Sequence, residues 1–380
     1  MLAVAAGLMV AITVAAIPYV RTAGFLMDLA GMEGGLRDWI PIAPLPVTFR
    51  DLTVPTRHGD MPVRLYEPDR REPPTVVVFP GVHGGGVDAP RLTRLCQRLS
   101  SSGLRVICGP LPDLRRFVIT ARSTDMIEDV TSWVSRQADL APTSRVTLVG
   151  VSFAGGLALV AAGRDSLDNR LNAVVSIGGH GDLARTLNFL STGVLPDGST
   201  RTPHDYPLAI VELTVAAQLV PRDQVALLEN ALDTFLRASL DDGTGFAHGL
   251  PAIAALTAQI DTMPEPTKTL VRAVVARDVR STGQAVAPWL ETLGNDPGLS
   301  PSLAAVPPVP VFLLHGADDN VIPSTETPLA AADLTARGTP HVRSLLTPLL
   351  THAHLTANAG PRELWRLVSF WREVRRTVEQ

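Results

Sequence analysis

The chain has 380 residues, of which 33 are Lys or Arg and 37 are Asp or Glu, for a formal charge of −4. That balance excludes a nucleic-acid protein, whose affinity needs a basic face. With 46% hydrophobic and 18% charged residues, the chain is more apolar than an average soluble domain, so some of its apolar residues have a destination other than a core.

The amino terminus suggests that destination. From Leu2 to Val20 no side chain is charged, and a helix of that length spans roughly the ~30 Å of a bilayer's hydrocarbon. This predicts a membrane anchor over residues 1–22, with membrane attachment through residues 2–20. A cleaved signal peptide is the alternative, because Val14-Ala15-Ala16 satisfies a small-residue cleavage rule, although no basic residue precedes the apolar run. A helix buried in the globular domain is the third reading. Arg21 alone follows the span, which leaves the side of the membrane open. A Gly-rich and Pro-rich linker is expected over residues 23–46, ending in Pro41-Ile42-Ala43-Pro44-Leu45-Pro46.

A globular domain is expected from Val47. Val47 to Val54 and Met61 to Tyr66 alternate as β-strands around His58-Gly59-Asp60, which predicts an antiparallel hairpin. Thr75-Val76-Val77-Val78-Phe79 is a continuous apolar run closed by Pro-Gly, as in a strand covered on both faces. Helices and strands then alternate: helix Arg91 to Leu99, strand Arg105 to Cys108, helix Thr124 to Gln137 capped by Ser123 or Thr124, and strand Arg145 to Val149. A helix from Phe153 and strand Ala173 to Ile177 follow; later come strands Val309 to Leu314 and Val342 to Leu346 and helix Arg362 to Val378. This rhythm predicts an α/β fold, a mostly parallel doubly wound sheet with helices on both faces. Two cysteines, Cys96 and Cys108, have neither disulfide-framework nor metal spacing and are read as buried apolar residues.

Residues 182–308 interrupt the rhythm. They contain helical patterns such as Arg222 to Ala238 and Thr267 to Asp278 but no convincing strand, and are far too long for a connection. They are expected to form an inserted helical cap that splits a core of residues 47–181 and 309–380. Such a cap either only packs or shapes a substrate cavity at the sheet's C-terminal edge.

The residues that could carry chemistry stand at strand ends. Gly150-Val151-Ser152-Phe153-Ala154-Gly155-Gly156 follows a strand and opens a helix. A Gly-x-Ser-x-Gly elbow needs that context, because small residues two positions either side let strand and helix approach; here Ala154 replaces the second glycine. Alternatively Ser152 merely caps the helix. His315-Gly316-Ala317-Asp318-Asp319-Asn320-Val321-Ile322-Pro323 follows another buried strand. Taken together these motifs resemble the α/β-hydrolase superfamily, whose H-G-x-x-D-x-x-[VI]-P segment matches Asp319 to the acid and leaves Asp318 solvated.

The resemblance implies the order Ser, acid, His, and Leu349-Leu350-Thr351-His352-Ala353-His354 supplies two histidines. His352 is preferred as the base, with His354 as alternate; a His-x-His metal pair finds no supporting carboxylate spacing. The oxyanion amides would be Phe153 and one from Pro80-Gly81-Val82-His83-Gly84-Gly85-Gly86. If Pro80-Gly81 stands where relatives have His-Gly the donor is Val82; if His83 opens an HGGG motif the donors are Gly84 and Gly85. Gly178-Gly179-His180-Gly181-Asp182-Leu183 places an alternate acid at Asp182, with His180 structural or cap-contacting. The chain looks most like uncharacterised bacterial members with an apolar N-terminal segment, which implies a cell-envelope location, or a secreted or periplasmic one after signal cleavage.

The implied activity is hydrolysis of a carboxylic ester through a Ser-His-Asp triad, on a small acyl or ester substrate and with no cofactor or metal. An acyltransferase or peptidase would use the same triad, and a non-catalytic member would bind ligand without turnover. A serine at the elbow argues against halide and epoxide hydrolases, which need a carboxylate there.

Overall fold

The computed structural model describes residues 2–29, 43–239, 249–350 and 360–379, with side chains from residue 16 onward. Eight strands form one sheet: β1 (Val47–Thr56), β2 (Gly59–Pro68), β3 (Thr75–Phe79), β4 (Arg105–Cys108), β5 (Val146–Val151), β6 (Leu171–Ile177), β7 (Val311–Gly316) and β8 (Val342–Thr347), in the order β1-β2-β4-β3-β5-β6-β7-β8. The first hairpin is antiparallel, with Val47 opposite Pro68 and Thr56 opposite Gly59, and β2 runs antiparallel to β4. All remaining pairs are parallel. Strands β3 to β7 are covered on both faces, which explains their apolar runs, whereas the edge strand β8 exposes Arg343 and Ser344.

The sheet divides the core in two. Val77, Phe79, Ile107, Leu148 and Val174 face the helices Arg122–Ser135 and Phe153–Ala162 and the helical insertion. Their strand neighbours Val76, Val78, Val106, Val149 and Val175 face the other way, toward the helices Pro90–Ser101 and Pro361–Val378. This is the period of two that a pleated strand imposes. Cys96 and Cys108 lie buried on the second face as free thiols.

Several boundaries differ from the sequence reading. The helix expected from Thr124 starts at Arg122, and neither Ser123 nor Thr124 caps it; both are buried in its first turn, and Thr124 donates to the Gly298 carbonyl at 2.6 Å. Strand β7 runs on through His315 and Gly316, because both still pair with β8.

The N-terminal helix extends over Leu2–Leu29, past the expected linker boundary at residue 23. Phe25, Leu26 and Met27 are buried, Phe25 meets Trp371 edge-on with ring centres 5.8 Å apart, and Tyr19 stacks on Trp365 at 5.0 Å. The end of this helix is therefore part of the protein's own core. Among the described residues no helix is long and apolar enough to cross a membrane, so the transmembrane helix expected over residues 2–20 is not supported.

Between β6 and β7 the described chain is helical, in Leu183–Thr192, Tyr206–Thr214, Val225–Ser239, Leu250–Gln259, Thr267–Val275 and Val279–Gly294 as its longer helices. Its apolar side chains Leu187, Leu208, Leu228, Leu232 and Phe235 join the cluster on the first face of the sheet.

Candidate active site

Strand β5 delivers the chain to Ser152, which adopts φ +54° and ψ −133° before the helix Phe153–Ala162 begins. A side chain held in that region is strained and persists only where the surroundings over-determine it. The surroundings do so here. The Ser152 N–H donates to the Ile177 carbonyl at the end of β6, at 2.7 Å, and the Ser152 carbonyl accepts from the Gly155 N–H at 2.7 Å. A Cβ at Gly150 would stand 2.2 Å from the Ala154 carbonyl oxygen, so strand and helix can close only over a glycine. The methyl of Ala154, in place of the usual second glycine, fits fully buried.

The pairing of Phe79 with Gly150 puts the loop after β3 beside the elbow. A Cβ on Gly81 would fall 2.7 Å from Ser152 Cβ and 3.1 Å from its Oγ, so this backbone lies directly on the serine. The two readings of the loop therefore differ in geometry. Pro80-Gly81-Val82 abuts the nucleophile position, whereas the Gly85 N–H is engaged by His83 Nδ1 at 2.9 Å and Gly84 lies against Phe117 and Arg237. The Phe153 N–H, at the first position of its helix, is one of the amides that an α-helix leaves without an internal partner.

Asp319 is buried on the loop that leaves β7, and Asp318 is exposed. Asp319 Oδ1 accepts from the N–H groups of Val321 and Ile322, at 2.9 and 3.2 Å. Its Oδ2 lies 3.3 Å from His315 Nε2. His315 is itself buried and ties the loop down: Nε2–H donates to the Ile322 carbonyl at 3.1 Å, which leaves Nδ1 to accept from the Thr327 hydroxyl at 2.8 Å. The sequence motif contains His315 but its spacing does not reveal this bracing role.

His352 and His354 lie outside the described residues. The chain that leads to them leaves β8 next to the acid loop, since Gly316 pairs with Thr347 and the Ala317 N–H donates to the Thr347 carbonyl at 3.0 Å.

Asp182 has a different employment. Its Oδ1 accepts from the Arg185 N–H at 2.7 Å as the N-cap of the helix Leu183–Thr192, and its Oδ2 accepts from the Ser302 hydroxyl at 2.8 Å. His180 is fully buried, stacks on Phe153 with ring centres 4.8 Å apart, and donates from Nε2 to the Leu299 carbonyl at 2.8 Å. Burial pushes its pKa down, so the ring is a neutral brace between the elbow helix and the insertion.

Sequence reasoning missed three features. Glu326, fully buried, accepts from the N–H groups of Gly181 and Asp182 at 3.0 and 2.9 Å and pairs with Arg185 Nε at 2.6 Å. Burial pushes the Tyr206 phenol up, and the neighbouring Asp319 carboxylate pushes it the same way, which brings the insertion close to the acid. Arg201 donates to the Asp319 carbonyl at 3.3 Å. None of these residues has a local pattern that marks it.

A mostly parallel eight-stranded sheet with a strained serine elbow after β5 and a buried aspartate after β7 is the α/β-hydrolase fold. No family model matches the chain. No curated protein matches it either. Solved structures do: a serine-to-alanine mutant of the esterase rPPE complexed with (S)-Ac-CPA superposes with a TM-score of 0.50 at 13% identity, over 93% of this chain and 88% of that one. A Pyrobaculum calidifontis esterase gives 0.48 at 16% identity over 96% and 93% of the two chains, and a Pyrococcus horikoshii acylaminoacyl peptidase 0.49 at 12% over 90% and 43%. At such identities the likeness is one of fold.

Proposed function

We propose that this chain is a serine hydrolase acting on carboxylic esters. The observation that carries the reading is Ser152, held at positive φ between β5 and a helix, with the Gly81 backbone pressed against its side chain. A nucleophile on such a turn is exposed to substrate and lies beside backbone amides from two segments.

In this reading His352, with His354 as alternate, takes the Oγ proton while Ser152 attacks the acyl carbonyl. Asp319 holds the imidazole's tautomer and stabilises the imidazolium; the two amides on its Oδ1 keep it aimed. The N–H groups of Phe153 and Val82 receive the oxyanion. The tetrahedral species collapses, the alcohol leaves with the proton from the imidazolium, and the acyl group remains on Ser152. Water then gives a proton to the same base and attacks the acyl-enzyme; the tetrahedral species collapses, Ser152 Oγ leaves with that proton from the imidazolium, and the acid is released. Every step is nucleophilic or acid–base, so none calls for a metal or organic cofactor.

The test is fluorophosphonate labelling of the wild type beside Ser152→Ala, followed by turnover of p-nitrophenyl esters of graded chain length. An adduct at Ser152 and turnover lost in the variant are expected; a folded wild type that takes no label points instead to a binding protein. His352→Ala and His354→Ala, assayed separately, identify the base.

A further inference from the structure

The loop that touches Ser152 through Gly81 continues beneath two guanidinium groups. A Cβ at Gly84 would lie 2.9 Å from Arg237 Nη1 and 3.0 Å from Phe117 Cζ, and one at Gly86 would lie 3.4 Å from Arg115 Nη2. Even fully extended, the five steps from Gly81 to Gly86 reach no more than about 18 Å. One arginine comes from the core segment before β5 and the other from the insertion helix Val225–Ser239, so core and insertion converge over the same stretch of backbone.

Phe117 is the second observation. It is fully buried yet sits at φ +58°, a conformation costly for a bulky side chain, with its ring under Arg237 at 5.4 Å from the guanidinium carbon. The strained turn thus holds a flat platform that orients a cation above the glycine loop.

The charges are not used up internally. Arg237 pairs with Asp233 at 2.7 Å. Among the described residues no carboxylate pairs with Arg115: Asp113 is engaged by Arg116 and Thr120, and Asp88 by Arg64. Two guanidiniums and one carboxylate leave one net positive charge, which suits a monoanion.

We propose that Arg115 and Arg237 form a carboxylate-recognition subsite over the glycine loop that leads to the nucleophile, and that the preferred substrates are esters carrying a second, free carboxylate. This rests on the serine-hydrolase reading and narrows it to a substrate class. Phe117, buried beneath the loop, acts only by holding the Arg237 guanidinium in place.

The test compares p-nitrophenyl monoesters of glutaric and suberic acid with the valerate and octanoate esters of matched length, reading the ratio of kcat/KM for the anionic over the neutral ester. The wild type should favour the anionic member by at least about tenfold, a ratio that falls with added salt. Arg115→Gln and Arg237→Gln should each lower the ratio about tenfold or more, and Arg115→Lys should restore part of it. A wild-type ratio at or below one overturns the proposal, as does an equal loss on both esters, which a merely structural role would give. If the chain turns over no ester, calorimetry of the same esters with Ser152→Ala decides independently of chemistry. Binding of the anionic ester alone supports the subsite; equal binding, or none, overturns it.

Discussion

The sheet and the helical insertion are held by different kinds of contact, and the stresses they store differ accordingly. Around the elbow the backbone itself is close-packed: Gly81 lies on Ser152, Gly150 on the Ala154 carbonyl, and the serine's own dihedrals are strained. The insertion instead docks through side chains. Its leucines fill one face of the core, and its polar seams run through Arg185 with Glu326 and Gly298 with Thr124. It also buries Glu212, fully enclosed, with neither carboxylate oxygen hydrogen-bonded among the described residues. Burial alone raises its pKa to about 8. At the elbow backbone strain serves to position atoms, while the buried Glu212 places an electrostatic liability in the element that covers them.

Substitutions in the two regions test that contrast. The largest effect is expected at the acid: Asp319→Asn should lower kcat about 10⁴-fold by removing the partner that fixes the base's tautomer. Asp182→Asn should leave turnover within a few-fold, measured on the same p-nitrophenyl ester; the reverse ranking would move the acid to the insertion boundary. Gly150→Ala drives a methyl into the Ala154 carbonyl and should cost about 3 kcal/mol or more, read as a lowered melting temperature with activity lost in parallel.

At the seam, Glu326→Gln leaves Arg185 without its carboxylate and should cost about 3 kcal/mol in urea denaturation. A loss under 1 kcal/mol would mean that the seam is held by its apolar contacts. Within the insertion, Glu212 predicts a pH dependence. Its folded pKa of about 8 lies above the ordinary glutamate value of about 4.5, so between those values the unfolded chain has released the proton that the folded chain still holds. Stability therefore falls as pH rises from about 4.5 to about 8 and levels off beyond. Glu212→Gln should flatten that slope and add about 2 kcal/mol at pH 8, after allowing for the cost of a buried amide. An unchanged slope would show that Glu212 finds a hydrogen-bond donor or solvent when it ionises.

The readable parts of the protein were those with local causes. The unbroken run Thr75 to Phe79 announces a strand covered twice, and the small residues around Ser152 announce a tight strand-to-helix turn, because each requirement falls within a few neighbours. The hairpin between β1 and β2 was legible for the same reason. The start of the helix at Arg122 was not: Ser123 and Thr124 look like caps, but tertiary packing draws Thr124 to the carbonyl of Gly298 and the helix begins earlier. The N-terminal apolar stretch is a different case. Composition alone cannot distinguish a segment made for lipid from one whose end packs on Trp371.

By itself, then, the sequence determined the alternation of strands and helices, the elbow at Ser152 and the aspartate loop after β7, since periodicity and turn chemistry are written in adjacent residues. Only the tertiary structure decided which stretch of the glycine loop lies on the serine, that Asp182 caps a helix, that Glu326 anchors the segment carrying it, and that Arg115 and Arg237 meet over one loop. Apart from the Asp182 cap, those contacts join residues far apart in the chain, as Glu326 and Asp182 are, 144 positions from one another. Their energies depend on burial and distance, quantities that do not exist until the chain has folded.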